Sequence, residues 1–288
     1  MGMPKITIVT VVYNRFTTIE QTISSVVNQT YPNLEYIVID GGSTDGTVEV
    51  IKKYEKDIAY WVSEKDGGIY DAMNKGVRAA TGDYIEFIGS DDCLCTYDIV
   101  GKVAEELDDE TDILSCPIYG VDETYCTEKI YDNSFAKNKA KYHGDMIPHP
   151  GMFTRHALLQ KYPFDTKYRI VSDYKFFLQC YYDDSVRFKF VDFPVVYFSH
   201  GGISSTIDTT KEKLSMYNEL GLVFSEGNNK RFLRTCRKNL REILIYTRVY
   251  PFLHEKFWLP MRHGFMKKHH CDNKICRWCE RNGARKSI

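Results

Sequence analysis

The chain has 288 residues, 43% of them hydrophobic and 27% charged, an ordinary globular balance with room for one large domain and an appendage. No run reaches the 18 or so uninterrupted apolar residues of a membrane-spanning helix, and Met1–Lys5 leads straight into a strand-like stretch, so no secretory leader is expected. The net charge of −1 conceals a split: residues 211–288 hold 18 Lys and Arg against 7 Asp and Glu, a net of +11, and residues 1–210 hold 20 against 32, a net of −12.

An acidic body with a basic tail points to a carboxylate metal site and to a surface that seeks phosphate or anionic lipid. No nucleic-acid partner is expected. The nine cysteines are scattered over the body and gather only near the end, which fits reduced thiols in a cytoplasmic protein. The 21 tyrosines suit either packing or stacking against sugars and bases.

In chain order, Lys5–Val12 is a β-branched strand ending at Tyr13-Asn14-Arg15, and Thr17–Gln29 is a helix through Ile19, Ile23, Val26 and Val27. Leu34–Asp40 is a second buried strand. The turn Gly41-Gly42-Ser43-Thr44-Asp45-Gly46 opens a helix over Thr47–Tyr54. Ala59–Val62 is a third strand, Ile69–Ala80 a helix, and Tyr84–Ile88 a fourth strand ending at Gly89-Ser90-Asp91-Asp92. This alternation predicts an α/β fold with a mostly parallel sheet, whose ligands sit beyond the carboxyl ends of the strands. The clusters Tyr13–Arg15, Asp40–Asp45 and Ser90–Asp92 all fall there.

Past Asp92 the pattern loosens. A helix is expected over Ile99–Leu107, a strand over Asp112–Ile118, and a hairpin and loop between Asp122 and Gly144. A helix over Ser172–Tyr182, strands over Phe188–Phe193 and Val195–Ser199, and basic-faced helices from Thr210 complete the reading.

Asp91-Asp92 is the sharpest chemical feature. Adjacent carboxylates repel unless a cation lies between them, and Mg²⁺ or Mn²⁺ is commonly held by one or two carboxylates plus substrate phosphates. The same pair could cap the following helix. Asp40 could accept hydrogen bonds from a base or ribose, or form an Asx-turn into Gly41-Gly42. Gly67-Gly68 permits close backbone approach or positive φ. Glu86 stands inside the fourth strand, where an apolar residue is commoner.

Together TIVTVVYN (7–14), VIDGGSTDGT (38–47), EKDGGIYDAMNKGVRAATGDY (64–84) and FIGSDD (87–92) resemble the family 2 glycosyltransferases. The resemblance covers about the first 200 residues, and GIYDAMNKG is especially like members that build bacterial surface polysaccharides. It implies a GT-A fold: a single Rossmann-like, mixed but mostly parallel sheet flanked by helices. A transferase domain over 1–208 would be followed by a basic helical extension over 209–288.

By the same resemblance Thr10, Tyr13, Asn14, Asp40 and Asp66 hold the nucleoside, with Gly67 and Asn74 of the third motif also on the nucleotide. Asp91 contacts the ribose, and Asp92 binds the Mn²⁺ or Mg²⁺ that bridges the phosphates. Asp173, opening a helix after Arg169-Ile170-Val171-Ser172, matches the general base; an ordinary N-cap is the other reading. His149 matches a histidine before an acceptor-side strand. His200 could close over the diphosphate as a metal or phosphate ligand, or sit as a surface-loop residue. The implied activity is inverting transfer from a nucleotide diphosphate sugar, of the UDP type, onto a glycan or polyprenyl-diphosphate-linked acceptor.

The tail segment 253–270 mixes aromatic and apolar residues with Arg and Lys. It suits either an anionic membrane surface on the inner face of the cell membrane or packing on the catalytic domain. His269, His270, Cys271, Cys276 and Cys279 offer zinc-type ligands without paired-knuckle spacing, and free thiols are the alternative. Two rival functions remain at this stage. A sugar-1-phosphate nucleotidyltransferase should carry a glycine-rich loop where Tyr13-Asn14-Arg15 stands, and a degenerate nucleotide-binding scaffold should not need Asp40, Asp91, Asp92 and Asp173 together.

Overall fold

β1 (Ile6–Val12), β2 (Leu34–Asp40) and β4 (Tyr84–Gly89) are buried along nearly their whole length, as apolar runs without alternation require of parallel strands covered on both faces. The coordinates are a computed structural model and describe residues 2–122, 127–133, 136–137, 146–200, 208–222, 267–268, 276 and 278. β3 (Tyr60–Ser63) lies at the edge and is more exposed. Three helices cross over between these strands: α1 (Ile19–Val27), α2 (Thr47–Lys53) and α3 (Ile69–Ala79).

α1 buries Ile19, Ile23 and Val26, and α3 buries Tyr70, Met73 and Val77, each set spaced to form one face of a helix. α3 comes unusually near the sheet because Gly76 has no side chain: a methyl there would lie 2.5 Å from Val9 Cγ1.

The main sheet runs β10-β6-β9-β4-β1-β2-β3, where β6 is Ile113–Ser115, β9 Met152–Arg155 and β10 Phe188–Phe190. Only β9 is antiparallel to its neighbours. Successive residues of a strand face opposite cores. Val9, Ile37 and Phe87 join α3 and the aromatics Phe164, Phe176 and Phe177 on one face, while Ile8, Val38 and Ile88 pack with Ile23, Val50 and Val100 on the other. The expected mixed, mostly parallel α/β sheet is therefore what the chain forms.

Register decides where the loops emerge. Val12 pairs with Asp40, Asp40 with Ser63, and Val11 with Gly89. Four strands thus end in step, and their four following loops leave at one edge.

Beyond α4 (Ile99–Glu106) the structure departs from the sequence reading in detail. The strand expected over 112–118 is two strands in two sheets, β6 and β7 (Ile118–Asp122). Pro117 stands at the break, where it can offer no ladder hydrogen bond. The strand expected over 188–193 ends at Phe190. β5 (Cys93–Leu94), β9 and α5 (His156–Lys161) had no clear sequence signal. α6 (Ser172–Tyr182) matches its expected span, and α7 (Thr210–Glu219) is the described helix of the basic region.

A second sheet runs β12-β8-β7-β11-β5, with β8 at Thr127–Tyr131, β11 at Val196–His200 and β12 at Lys267–Lys268. β7 and β8 form a hairpin that starts at Ile118, before the Asp122–Gly144 stretch where one was expected. β12 pairs antiparallel with β8, so a segment near the C-terminus adds the outer strand. Cys276 and Trp278, both fully buried, close a small cluster with Cys93, Cys95, Val121 and Tyr197. No described helix is long and apolar enough to cross a membrane. Residues 253–266, His269, His270, Cys271 and Cys279 lie outside the described residues.

Candidate active site

The loops after β1 and β2 are stitched together. The Asn14 backbone N–H donates to Ser43 Oγ at 2.7 Å, Arg15 N–H to Thr47 Oγ1 at 2.8 Å, and Phe16 N–H to Asp45 Oδ2 at 3.0 Å. Asn14 adopts φ 51°, a left-handed conformation that asparagine tolerates better than most residues, and its Oδ1 accepts from Thr44 N–H. The Ser-Thr-Asp-Gly-Thr run therefore shapes the loop that Tyr13 emerges from.

Tyr13 is 61% exposed. A methyl on Gly41 would lie 2.7 Å from Asp66 Oδ2 and 3.4 Å from Tyr13 Cδ2. Glycine thus keeps open a slot walled by an aromatic ring and a carboxylate. Asp66 Oδ1 accepts from Gly68 N–H, and Asp71 Oδ2 accepts from the exposed Gly67 N–H, which fixes the rim of that slot just ahead of α3.

Three residues expected at the nucleotide turn inward instead. Asp40 is fully buried. Its oxygens accept from Gly42 N–H, Ser43 N–H, Ser43 Oγ and Ser63 Oγ at 2.5–3.1 Å, so it forms the Asx-turn and braces the loop from beneath. Thr10 is fully buried with Oγ1 3.0 Å from Tyr36 Oη. Asn74 clamps the Phe164 backbone, donating to its carbonyl at 2.8 Å and accepting from its N–H at 3.0 Å. In each case the protein uses the polar atoms the sequence reading assigned to a ligand.

The carboxylates of Asp91 and Asp92 converge over Gly89, where a methyl would lie 2.6 Å from Asp92 Oδ2 and 3.2 Å from Asp91 Oδ1. α1 holds this loop from behind: Thr18 Oγ1 donates to Ser90 O at 2.9 Å and Thr22 Oγ1 to Asp92 O at 2.6 Å. Asp92 is 2% exposed and its Oδ1 accepts from Ser199 N–H of β11 at 2.8 Å. Asp91 is the more open of the two.

Two carboxylates over a residue without a side chain fit a hard divalent cation held partly by protein and partly by phosphate oxygens. Among the described residues no three His, Cys, Asp or Glu gather as an all-protein cage, so the phosphates would have to complete the shell. The His200 ring packs edge-on against Tyr131 and Phe198, with Nε2 over Gly120. The glycine-rich residues that follow it, 201–207, lie outside the described residues.

On the opposite side of the slot, Asp173 opens α6. Its Oδ1 accepts from Tyr70 Oη at 2.8 Å and from Tyr174 N–H at 2.8 Å, both on the same carboxylate oxygen. Tyr70 follows Gly68 by two residues, so this bond ties the acceptor-side carboxylate to the rim of the nucleotide slot. His149 is stacked on Phe87 at 5.7 Å and meets Phe164 edge-on. Burial pushes the His149 imidazole below its usual value, with the Asp173 charge opposing.

Glu86, which the sequence marked only as out of place, lies fully buried below the paired aspartates. Among the described residues neither carboxyl oxygen has a hydrogen-bond partner at bonding geometry. Burial and then the Asp92 charge push it well above the usual carboxylate range, and the nearby Gly151 N–H, whose bond goes to the His149 carbonyl, pulls only weakly the other way.

Open parallel sheets with their polar loops gathered at one edge are built to receive a ligand there, and this sheet, its crossover helices and its paired aspartates have the GT-A architecture of sugar-transferring enzymes. Residues 7–166 match the family model described as Glycosyl transferase family 2. The chain belongs to glycosyl transferase family 2 and is a glycosyltransferase.

It is 27% identical over 229 residues to a PGL/p-HBAD biosynthesis glycosyltransferase of Mycobacterium bovis, covering 77% of this chain and 88% of that one. Its fold resembles S. aureus TarS 1–349 in complex with UDP (TM-score 0.56, 22% identity, 68% of this chain), of which the chain spans 60%. It also resembles glucosyl-3-phosphoglycerate synthase from Mycobacterium tuberculosis in complex with Mn²⁺, UDP and phosphoglyceric acid (TM-score 0.55, 18% identity, 78% of this chain and 81% of that one).

Proposed function

We propose that the chain is an inverting, divalent-metal-dependent transferase that takes a glycosyl group from a UDP-sugar and places it on a hydroxyl of a surface glycan or a lipid-linked acceptor. The observation that carries the reading is the convergence of Asp91 and Asp92 over Gly89, at the same sheet edge as the Tyr13–Gly41–Asp66 slot. The Mn²⁺ and UDP bound by glucosyl-3-phosphoglycerate synthase and the UDP bound by TarS support the same ligand chemistry. The M. bovis relative, a PGL/p-HBAD biosynthesis glycosyltransferase, supports sugar transfer in a biosynthetic role.

In this reading the Tyr13 ring stacks on the base and Asp66 accepts from a ring N–H or a ribose hydroxyl. Asp92, with Asp91 beside it at the ribose, would hold Mg²⁺ or Mn²⁺, which would supply positive charge to stabilise the departing diphosphate. Asp173 Oδ2, the oxygen not engaged by Tyr70 or the Tyr174 N–H, takes the proton of the acceptor hydroxyl as the hydroxyl oxygen bonds to the anomeric carbon. The bond from that carbon to the phosphate oxygen breaks on the opposite face, and the electron pair leaves with UDP. His149, held neutral by burial, can accept or donate a hydrogen bond to the acceptor without adding charge. Residues 1–208 supply this machinery and 209–288 the basic extension, whose charge suits an anionic membrane surface on the cytoplasmic side.

Calorimetric titration of UDP, with and without Mn²⁺, tests the reading on wild type, Asp91→Asn and Asp92→Asn. Metal-dependent binding that weakens in both variants is expected. Absence of UDP and GDP binding by folded wild type would overturn the reading in favour of a scaffold.

A further inference from the structure

Tyr70 is 5% exposed, and its hydroxyl oxygen lies 2.8 Å from Asp173 Oδ1 and 2.6 Å from the Ile170 carbonyl oxygen. A phenol has one proton and can also accept. Two acceptors within reach of a single O–H cannot both receive it. Burial, followed by the Asp173 charge, pushes the Tyr70 hydroxyl well above its usual value, so the proton stays on this oxygen.

The competition resolves through the charge on Asp173. When the carboxylate is ionised, the hydroxyl donates to Oδ1 in a charge-assisted bond, the stronger of the two available. When Asp173 is protonated, the hydroxyl turns to the Ile170 carbonyl, and its oxygen can accept from the acid. Either way no buried polar atom is stranded, which would otherwise cost heavily. The ring meanwhile stays fixed, stacked on Phe164 at 5.8 Å.

We infer that Tyr70 is a positioning residue for Asp173: its hydroxyl holds Oδ1, leaves Oδ2 to face the acceptor, and swings between Asp173 and the Ile170 carbonyl as the base changes charge. The inference rests on the general-base reading of Asp173. It adds a physical link between halves of the site, because Tyr70 belongs to the helix that follows Asp66–Gly68, and Asp173 to the helix that faces the acceptor. Residues about 100 positions apart in sequence thereby set one geometry.

The test is Tyr70→Phe, which removes only the hydroxyl. His149, from the loop before β9, lies within electrostatic reach of the same carboxylate, so His149→Gln serves as a reference variant. UDP affinity should stay within about twofold, and UDP release from whichever of UDP-glucose, UDP-galactose and UDP-N-acetylglucosamine is hydrolysed should slow about tenfold in kcat with KM unchanged.

An unchanged kcat in Tyr70→Phe overturns the inference. Should that variant not fold, 3,5-difluorotyrosine at position 70, a donor of nearly the same shape, should keep kcat within about twofold of wild type; a tenfold fall there with UDP affinity unchanged overturns it. If Asp173→Asn hydrolyses the donor as fast as wild type, the base assignment fails, and Tyr70 then positions a carboxylate of no catalytic use. If Asp173→Asn is inactive and Tyr70→Phe matches wild type in kcat, only the inference fails.

Discussion

At the N-terminal end of the main sheet, Glu35 opens β2 almost fully buried. It accepts from Lys5 Nζ, Thr81 Oγ1, Thr81 N–H and Thr7 Oγ1 at 2.5–2.8 Å. Burial alone would push its carboxyl up, but the bonds from Lys5, Thr81 and Thr7 outweigh it and hold it at about 2. At the other end, Glu86 is fully buried, takes no hydrogen bond from the described residues, and is pushed up. The first end spends its carboxylate on holding three strands together. The second keeps unspent polar capacity near Asp92. Stability and reactivity have been divided between the two ends of the same strands, and each can be perturbed without the other.

The largest separation should come from Asp173→Asn. Removing a general base lowers turnover by about 10²–10⁴-fold, while UDP affinity and the melting temperature should stay near wild type; retained turnover would break the division. Glu35→Ala should do the reverse, costing about 2–3 kcal/mol in urea unfolding through the donors it strands and leaving UDP affinity unchanged. A loss of UDP binding in the folded variant would show that the two ends are coupled.

Asp91→Asn should weaken Mn²⁺-dependent UDP binding by about 10–100-fold with little change in stability, read by calorimetry and thermal melting together. Glu86→Met should raise stability by about 1–2 kcal/mol, since it removes a buried group without partners; a destabilised variant would mean that the carboxyl has a partner after all.

The same pair should give pH slopes of opposite sign. Glu35 binds its proton less tightly in the folded protein, so its stabilisation is present above about 4.5 and is lost as pH falls through about 2. Glu86 binds its proton more tightly when folded, so stability falls as pH rises from about 4.5 toward its folded value. Unfolding of metal-free protein between pH 5 and 8 should show that downward slope, and Glu86→Gln should flatten it.

The donor half was nearly all readable from sequence, because its strands and helices follow one another in chain order and each declares its own period. Ser172–Tyr182 declared itself the same way, and with it the place of Asp173. What sequence could not show is which lone pairs the loops keep for themselves. Asp40, Thr10 and Asn74 are the right residue types at the right strand and helix positions, yet Ser43, Ser63, Tyr36 and the Phe164 backbone claim their polar atoms first.

The second sheet was only partly legible. Val195–Ser199 was expected as a strand, but the five strands, each of five residues or fewer, come from four distant stretches of chain, so no local pattern announces their pairing. Glu86 was visible as an oddity, but only the packed structure shows that nothing answers its charge.

The way Trp278 and Cys276 cover Cys93 and Cys95 also orders events during synthesis. β5 leaves the ribosome directly behind Asp92, long before the residues that will cover it. Domains fold as they emerge, and surface left bare invites wrong partners. The nascent enzyme must therefore carry an open apolar seam beside its reactive aspartates until the tail arrives, and that interval is when a holding chaperone has most to protect.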